Sequence, residues 1–389
     1  MSTRKVNHYD RRITAGVVLL VVFGSFMIAS AEMGNAVGDT GYLTSVIIKQ
    51  AIFAVLGLVG YFLACRIPLN RMRLSLYNMA YTILLITLLA CRLFGATNGA
   101  YAWIPIGSLM SIQPSEFAKA FMMVYAARLL SRDQKEKNLS NFIRFGVCTL
   151  IYVGVILVWQ KDLGSAMVLF VMCYCMMLIP SYKEIKKYQS YMLVIILGVL
   201  VIIPLILSPF FTDFLKNFSS NYMVGRFLAA ADPFLYRYDN GYHLVMSLVS
   251  FANGGLFGLG YTKSIHKYMN FPNPSNDFIL PVIVEELGIV GFLVIIIGYA
   301  LILYPMISFS LKTEKISGKI VAIGSVCYFL CHFIFNVGGV SGFIPLTGVP
   351  LLIVSSGGSS LIACLASVGM VQNEMAADMA IEEDESNSW

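Results

Sequence analysis

The stretch Asn270–Tyr304, NFPNPSNDFILPVIVEELGIVGFLVIIIGYALILY, decides how the rest of the chain is read. It opens on Asn, Pro and Ser residues that punctuate regular structure, passes one carboxylate at Asp277, and then runs apolar from 279 to 304. An α-helix needs about 20 such residues to cross roughly 30 Å of hydrocarbon, so this run predicts a membrane span. Within it stand Glu285 and Glu286. Two adjacent carboxylates in hydrocarbon cannot both face lipid, and at least one must be protonated, hydrogen-bonded or paired across a bundle. Pairing with Lys49, Lys119 or another cation is the expected arrangement. A carboxylate at the edge of hydrocarbon is costly to keep, so Asp277 either caps the following helix or carries out chemistry.

Composition extends this reading to the whole chain. It is 58% hydrophobic and 12% charged, with a mean hydropathy of +0.76, where globular chains carry about 25% charged residues. Apolar intervals fall at about 13–31, 42–64, 74–94, 116–130, 142–159, 165–180, 190–208, 279–304, 318–337 and 351–371. The expected fold is an all-α polytopic membrane protein of about ten transmembrane helices, with a large extracellular loop, 209–278, between spans 7 and 8. A β-barrel would show alternating segments of about 10 residues instead. Residues 1–371 form one domain, and 372–389 is expected to be an acidic, disordered cytoplasmic tail. Ala29-Ser-Ala31 before Glu32 resembles a signal-peptidase site, but the run 13–31 is longer than a usual signal core.

Short-loop basic residues orient the chain. Arg4, Lys5, Arg11 and Arg12 precede the first span, and Arg66, Arg71, Arg73, Lys135, Lys137, Lys183, Lys186, Lys187, Lys312 and Lys315 fall on the same side when ten spans are counted. Loop 32–41 has no Lys or Arg. Both termini are therefore expected in the cytoplasm and the long loop outside. The net charge of +6 belongs to these loops and is not a nucleic-acid signal. The eight cysteines sit in or beside apolar segments; they read as small packing residues, without zinc-like spacing or a structural disulfide in the large loop.

Several polar constellations interrupt the apolar runs. In Ser111-Ile-Gln-Pro-Ser-Glu-Phe-Ala-Lys119, Pro114 predicts a helix start with Gln113 or Ser115 near the cap. Glu116 and Lys119, three apart, share a helix face and can pair; the alternative is a cation offered to phosphate. Asp162, in Trp159-Gln-Lys-Asp-Leu-Gly-Ser165, is placed to cap the next helix. The glycines of Asn253-Gly-Gly-Leu-Phe-Gly-Leu-Gly260 follow no predicted strand, which rejects a dinucleotide fingerprint; they give tight turns or a close approach to lipid or sugar. Segment 242–252 is an amphipathic candidate for the membrane interface, and a helical turn beyond it would put Lys263 and Lys267 on one face. Residues 336–360, including Ser359, read as an outer re-entrant loop whose polar backbone is satisfied by protein or ligand.

Taken in order, Gln113-Pro-Ser-Glu-x-x-Lys119, Asp162-Leu-Gly164, Asp232-Pro233, Gly254-Gly-x-x-Gly-x-Gly260, Asp277-Phe-Ile279, Glu285-Glu-Leu-Gly288, Pro345-x-Thr-Gly-x-Pro350 and Gly357-Gly-Ser-Ser360 resemble the SEDS family (shape, elongation, division and sporulation). The chain departs from the family's usual pattern at Ser275-Asn276, His243, Lys161 and Ser356. The resemblance implies a peptidoglycan glycosyltransferase of the bacterial cell membrane that polymerises lipid II at the external face. Asp277 would be its catalytic base, and its partners a class B penicillin-binding protein and other divisome membrane proteins. Gly258-Leu-Gly260 with Ser264 and Lys267 looks closer to the division branch than to the elongation branch. Candidate substrate-binding residues are Gln113, Ser115, Glu116, Lys119, Lys263, Lys267, Glu285, Glu286 and Ser359. Lys119, Lys263 and Lys267 are the expected diphosphate partners. A divalent cation (Mg or Mn) could assist, although no ligand cluster calls for one. The competing classes are a lipid II flippase and a scaffold that only recruits the penicillin-binding protein.

Overall fold

The computed structural model describes residues 9–37, 39–67, 72–97, 99–107, 110–132, 135, 137–206, 222–239, 241–269, 271 and 273–386. Each expected apolar interval is occupied by a helix: α1 (Arg11–Glu32), α2 (Thr40–Ala64), α3 (Leu74–Ala90), α4 (Pro114–Leu130), α5 (Asn138–Gly154), α6 (Leu163–Met177), α7 (Lys186–Ile206), α10 (Ile279–Lys312), α11 (Ile316–Val340) and α12 (Gly358–Ser386). Two more, α8 (Tyr222–Ala231) and α9 (Tyr242–Gly254), lie in the long segment before α10. Residues 207–221 of that segment lie outside the described residues. Two short antiparallel strands, β1 (Ile104–Ile106) and β2 (Met110–Ile112), form a hairpin leading into α4.

Helix starts follow their sequence signals. Asp39 accepts from the Tyr42 N–H to cap α2, Asp162 accepts from the Ser165 N–H to cap α6, and Pro114 opens α4 where its missing N–H costs nothing. Among the described residues six helical stretches, including α1, α2, α10 and α11, are long and apolar enough to cross a membrane. Packing agrees with a bilayer as solvent. Met122, Met123, Tyr328, Phe329, Leu365 and Val368 are closed off in the centre, where α4, α11 and α12 meet. Val55, Leu63, Ile83, Leu150 and Val194 face outward on α2, α3, α5 and α7. A soluble monomer rarely exposes so continuous an apolar surface.

Two elements differ from expectation. The interval 351–371 is helical only from Gly358. Leu351, Leu352, Ile353 and Val354 are apolar because protein covers them, not lipid. Their backbone is non-helical, with Ile353 at φ 67, and is held by Leu351 N–H donating to Ser355 Oγ at 2.8 Å and Ser356 N–H donating to Ser275 O at 2.8 Å. The acidic stretch after 371, expected to be disordered, instead continues α12 to Ser386. Gln372 donates to Asp10 O at 3.0 Å, Ser317 donates to Glu374 at 3.2 Å and Lys315 pairs with Asp378 at 3.1 Å, and these contacts hold the helix against α1 and α11. Residues 387–389 lie outside the described residues. Segment 242–252 is helical, and its small and polar face packs on protein: Ser247 donates to Val340 O at 2.7 Å.

The glycine-rich segment explains a break in α10. At Gly288 the helix adopts φ 65, ψ −156. There Leu259 N–H donates to Glu285 O and Gly260 N–H to Glu286 O, both at 2.9 Å, and Ile289 N–H donates to Gly255 O at 3.1 Å. The loop thus completes the ladder that the break interrupts. A Cβ at Gly258 (φ 74) would overlap the Glu286 carbonyl, and one at Gly288 would overlap that of Leu256. The close approach that these glycines permit is therefore to α10 backbone. Gly258→Ala combines left-handed strain with a backbone clash, and it is expected to lower stability by about 1–3 kcal/mol, read as a lower thermal midpoint in detergent.

Candidate active site

Asp277 is the last residue but one before α10, yet it does not cap it. The cap position is Phe278, and no side chain caps the helix. Among the described residues no hydrogen bond reaches the Asp277 carboxylate. The main chain around it is clamped: Asn336 Nδ2 donates to Asp277 O and to Val349 O, each at 2.9 Å, and Ser355 Oγ donates to Asn276 O at 2.8 Å. Ser275 Oγ donates to the Glu32 carboxylate. The turn is rigid while the acid it presents is left unused.

That carboxylate is only partly accessible to solvent, but protein crowds it on nearly every side. Burial pushes its pKa up to about 7; the Arg226 guanidinium pulls the other way and the Asp162 charge adds to the rise. Asp162, besides capping α6, accepts from Gln113 Nε2 at 2.9 Å. Gln113 also reaches Ser165 Oγ at 3.2 Å, and its own N–H donates to Ser359 Oγ at 3.2 Å. Arg226, on α8, donates to Leu346 O at 2.8 Å. Gly348 leaves the floor open: a Cβ there would lie 3.5 Å from Asp277 Oδ2. Neighbouring Thr347 Oγ1, Asn336 Oδ1 and His243 Nδ1 are buried without a partner among the described residues. Burial lowers the His243 pKa, and Arg226 lowers it further, so its ring is neutral at pH 7. A desolvated carboxylate titrating near neutrality, a guanidinium whose charge acts on it and unsatisfied polar atoms nearby make a site able to accept a proton and face an anion.

Glu116, Lys119, Lys267, Glu285 and Glu286 fall into two buried clusters. Lys119 pairs with Glu116 at 2.7 Å; Tyr328 donates to Glu116 at 2.6 Å and His332 Nε2 lies 3.3 Å from Lys119. Ser115, in the same turn, is buried with its Oγ unpartnered among the described residues. Lys267 pairs with Glu286 at 2.7 Å, and Ser30 donates to the same carboxylate at 2.7 Å. Glu285 takes His266 Nδ1 at 2.6 Å and Ser264 Oγ at 2.5 Å. The partners of Glu285 and Glu286 are thus His266 and Lys267, not Lys49 or Lys119. The Lys119 and Lys267 ammonium groups, buried and already matched to carboxylates, are not presented to a diphosphate. Lys263 is exposed while Lys267 is buried; Thr262 at φ 66 and a short 3₁₀ turn, His266–Tyr268, separate the faces that a helical turn would have aligned.

Arg226 was missed by sequence reasoning because α8 read as part of a loop; its amphipathic Tyr222–Ala231 pattern was the available signal. Among the described residues no group of three or more His, Cys, Asp or Glu is placed to hold a metal. The carboxylates that the cleft offers are Asp162 and Asp277. That pair suits a hard cation, which takes one or two carboxylates together with substrate phosphate oxygens.

The family model FTSW_RODA_SPOVE, described as a cell cycle protein, matches residues 11–378. The chain is 32% identical over 378 residues to the probable peptidoglycan glycosyltransferase FtsW of Bacillus subtilis, covering 96% of this chain and 92% of that protein. It is 29% identical over 380 residues to the stage V sporulation protein E of the same organism, covering 96% and 98%. Among solved structures it resembles a chain from a peptidoglycan synthase complex, studied for the coordination of polymerization and crosslinking, with a TM-score of 0.73 and 25% identity, covering 95% of this chain and 98% of that one.

Proposed function

Since the chain belongs to the FtsW/RodA/SpoVE family, we propose that it is a peptidoglycan glycosyltransferase that polymerises lipid II, with Asp277 as its general base. The observation that carries the assignment of the base is the desolvated Asp277 carboxylate, which does not cap its helix and feels the Arg226 charge. Making a β-1,4 bond from an α-linked lipid diphosphate inverts the sugar carbon, so one displacement suffices. Asp277 takes the proton of the acceptor 4-hydroxyl, the oxygen attacks C1 of the donor, and the C1–O bond to the diphosphate breaks. The undecaprenyl diphosphate leaves with the electron pair. Arg226 is the cation best placed to face the departing charge, since a guanidinium fork matches phosphate oxygens. A divalent cation, when bound by Asp162 and Asp277, would supply further charge neutralisation to the leaving group.

We place this cleft where lipid II is presented, on the reading of ten spans, cytoplasmic termini and an external 209–278 loop. The short-loop lysines and arginines support that orientation. The synthase-complex likeness supports a class B penicillin-binding protein as partner, and the division branch is our assignment for the cellular role. The test is to give lipid II to the purified protein with and without that partner. Glycan polymer supports the enzyme, and translocation without polymer would establish a flippase instead.

The pH dependence follows from the direction of the Asp277 shift. A base must be unprotonated to act, so the rate is expected to fall about tenfold per pH unit below about 7 and to level off above it. A pH–rate profile at limiting lipid II checks this, and a flat profile from pH 5 to 8 would exclude Asp277 as the base.

A further inference from the structure

A polar cavity of about 310 Å³ lies between α1, α2 and the 273–276 turn, and nothing in the mechanism above uses it. Its wall includes Glu32, Lys49, Gln50, Asn276 and Ser356. Asn276 precedes Asp277 directly, so the cavity adjoins the same clamped turn that presents the base.

Its polar groups are unevenly satisfied. Glu32 accepts from Asn35 Nδ2 at 2.9 Å, from Tyr42 Oη at 2.8 Å and from Ser275 Oγ, so its charge is solvated by protein. Gln50 is only 6% exposed, and its Nε2 has no partner among the described residues. The same holds for Asn276 Oδ1. Lys49 is half-buried and, among the described residues, has neither an ion pair nor a hydrogen bond. Buried polar groups are normally paired. An ammonium, an amide donor and an amide acceptor left open around one cavity describe the complement of a ligand that is anionic and also carries hydroxyl or amide groups.

We propose that this cavity is a second substrate subsite, holding an anionic, hydroxyl- and amide-bearing saccharide group of one of the two lipid-linked molecules that the enzyme joins. Lys49 faces its anionic oxygen, Gln50 Nε2 donates to it, and Asn276 Oδ1 accepts from a hydroxyl or amide. The inference rests on the glycosyltransferase reading: joining two saccharides requires that both be held, and the Asp277–Arg226 cleft serves the reacting centre. The volume is at the lower end of the roughly 300–1,000 Å³ usual for ligand pockets, room for one sugar or one diphosphate and not for a whole disaccharide-peptide. The anion belongs either to the diphosphate or to a peptide carboxylate.

The test uses Asp277→Asn protein in lipid nanodiscs, which binds without turning over, and two probes, lipid II and undecaprenyl diphosphate. Lys49→Ala and Gln50→Leu, added singly, are expected to weaken lipid II binding roughly tenfold each, with unchanged thermal midpoints and recovery in Lys49→Arg. Equal weakening of undecaprenyl diphosphate assigns the anion to the diphosphate; weakening of lipid II alone assigns it to the saccharide-peptide part. With Asp277 intact, the KM for lipid II rises while kcat holds. Unchanged lipid II binding in both variants overturns the subsite, even if the wild type polymerises normally. Absence of polymer from the wild type would instead overturn the enzymatic reading beneath it.

Discussion

Asp277→Asn is expected to leave a folded, partner-binding protein that makes no detectable glycan from lipid II. A positioned general base contributes about 10²- to 10⁴-fold to a rate, and an amide cannot take the acceptor proton. The fold should survive for specific reasons. Phe278, not Asp277, holds the cap position of α10, and Asn336 bonds the Asp277 carbonyl, which the substitution leaves in place. The linkage sign adds a second readout. Burial raises the folded-state pKa to about 7 from the ordinary carboxylate value of 3.8. The stability contributed by this group is therefore complete below the unfolded value and lost as pH rises through the folded one. Asn carries no charge to desolvate, so the variant should melt no lower than wild type at pH 8. Gel-resolved polymer and a thermal melt decide the matter together. Full polymerisation by the folded variant would remove Asp277 from the mechanism.

Lys267→Met is the larger expected effect on stability. It strands Glu286, which is fully buried and shares its oxygens among Lys267, Ser30 and the Thr262 N–H. Removing one partner of a buried pair costs roughly 3–5 kcal/mol, whereas replacing both by apolar residues is often neutral. The single variant should therefore lose most of its folded yield, and Lys267→Met with Glu286→Leu should regain much of it. The consequence reaches the active site through α10. Glu285 and Glu286 sit one turn before the Gly288 break, and the loop that carries Lys267 completes the backbone ladder across it. A double variant that is no more stable than the single one would show that the pair does more than neutralise a buried charge.

The sequence made the helices legible because the bilayer is a uniform solvent. Its thickness imposes one length on every crossing segment, and hydropathy reads that length without knowledge of neighbours. Where protein replaced lipid as the cover, the reading failed: Leu351–Val354 is as apolar as a span but is an irregular loop beneath other backbone. The acidic end of α12 failed for the converse reason, since its order comes from Asp10, Ser317 and Lys315, which are distant in sequence.

The candidate site divides along the same line. Asp277 stood out from its position before an apolar run, and Asp162 and Pro114 announced helix starts, because these are local signals. Which cation meets which carboxylate is not local. Gln113 and Ser359 are 246 residues apart, and Lys267 and Ser30 are 237 apart. By itself the sequence determined a multi-helix membrane bundle with an acid at its polar edge. Only the tertiary structure decided that Lys119 and Lys267 are sequestered and that the Arg226 charge acts on Asp277. The reason is physical: a buried charge takes whichever partner the packing brings within hydrogen-bonding distance, and packing is a property of the whole chain.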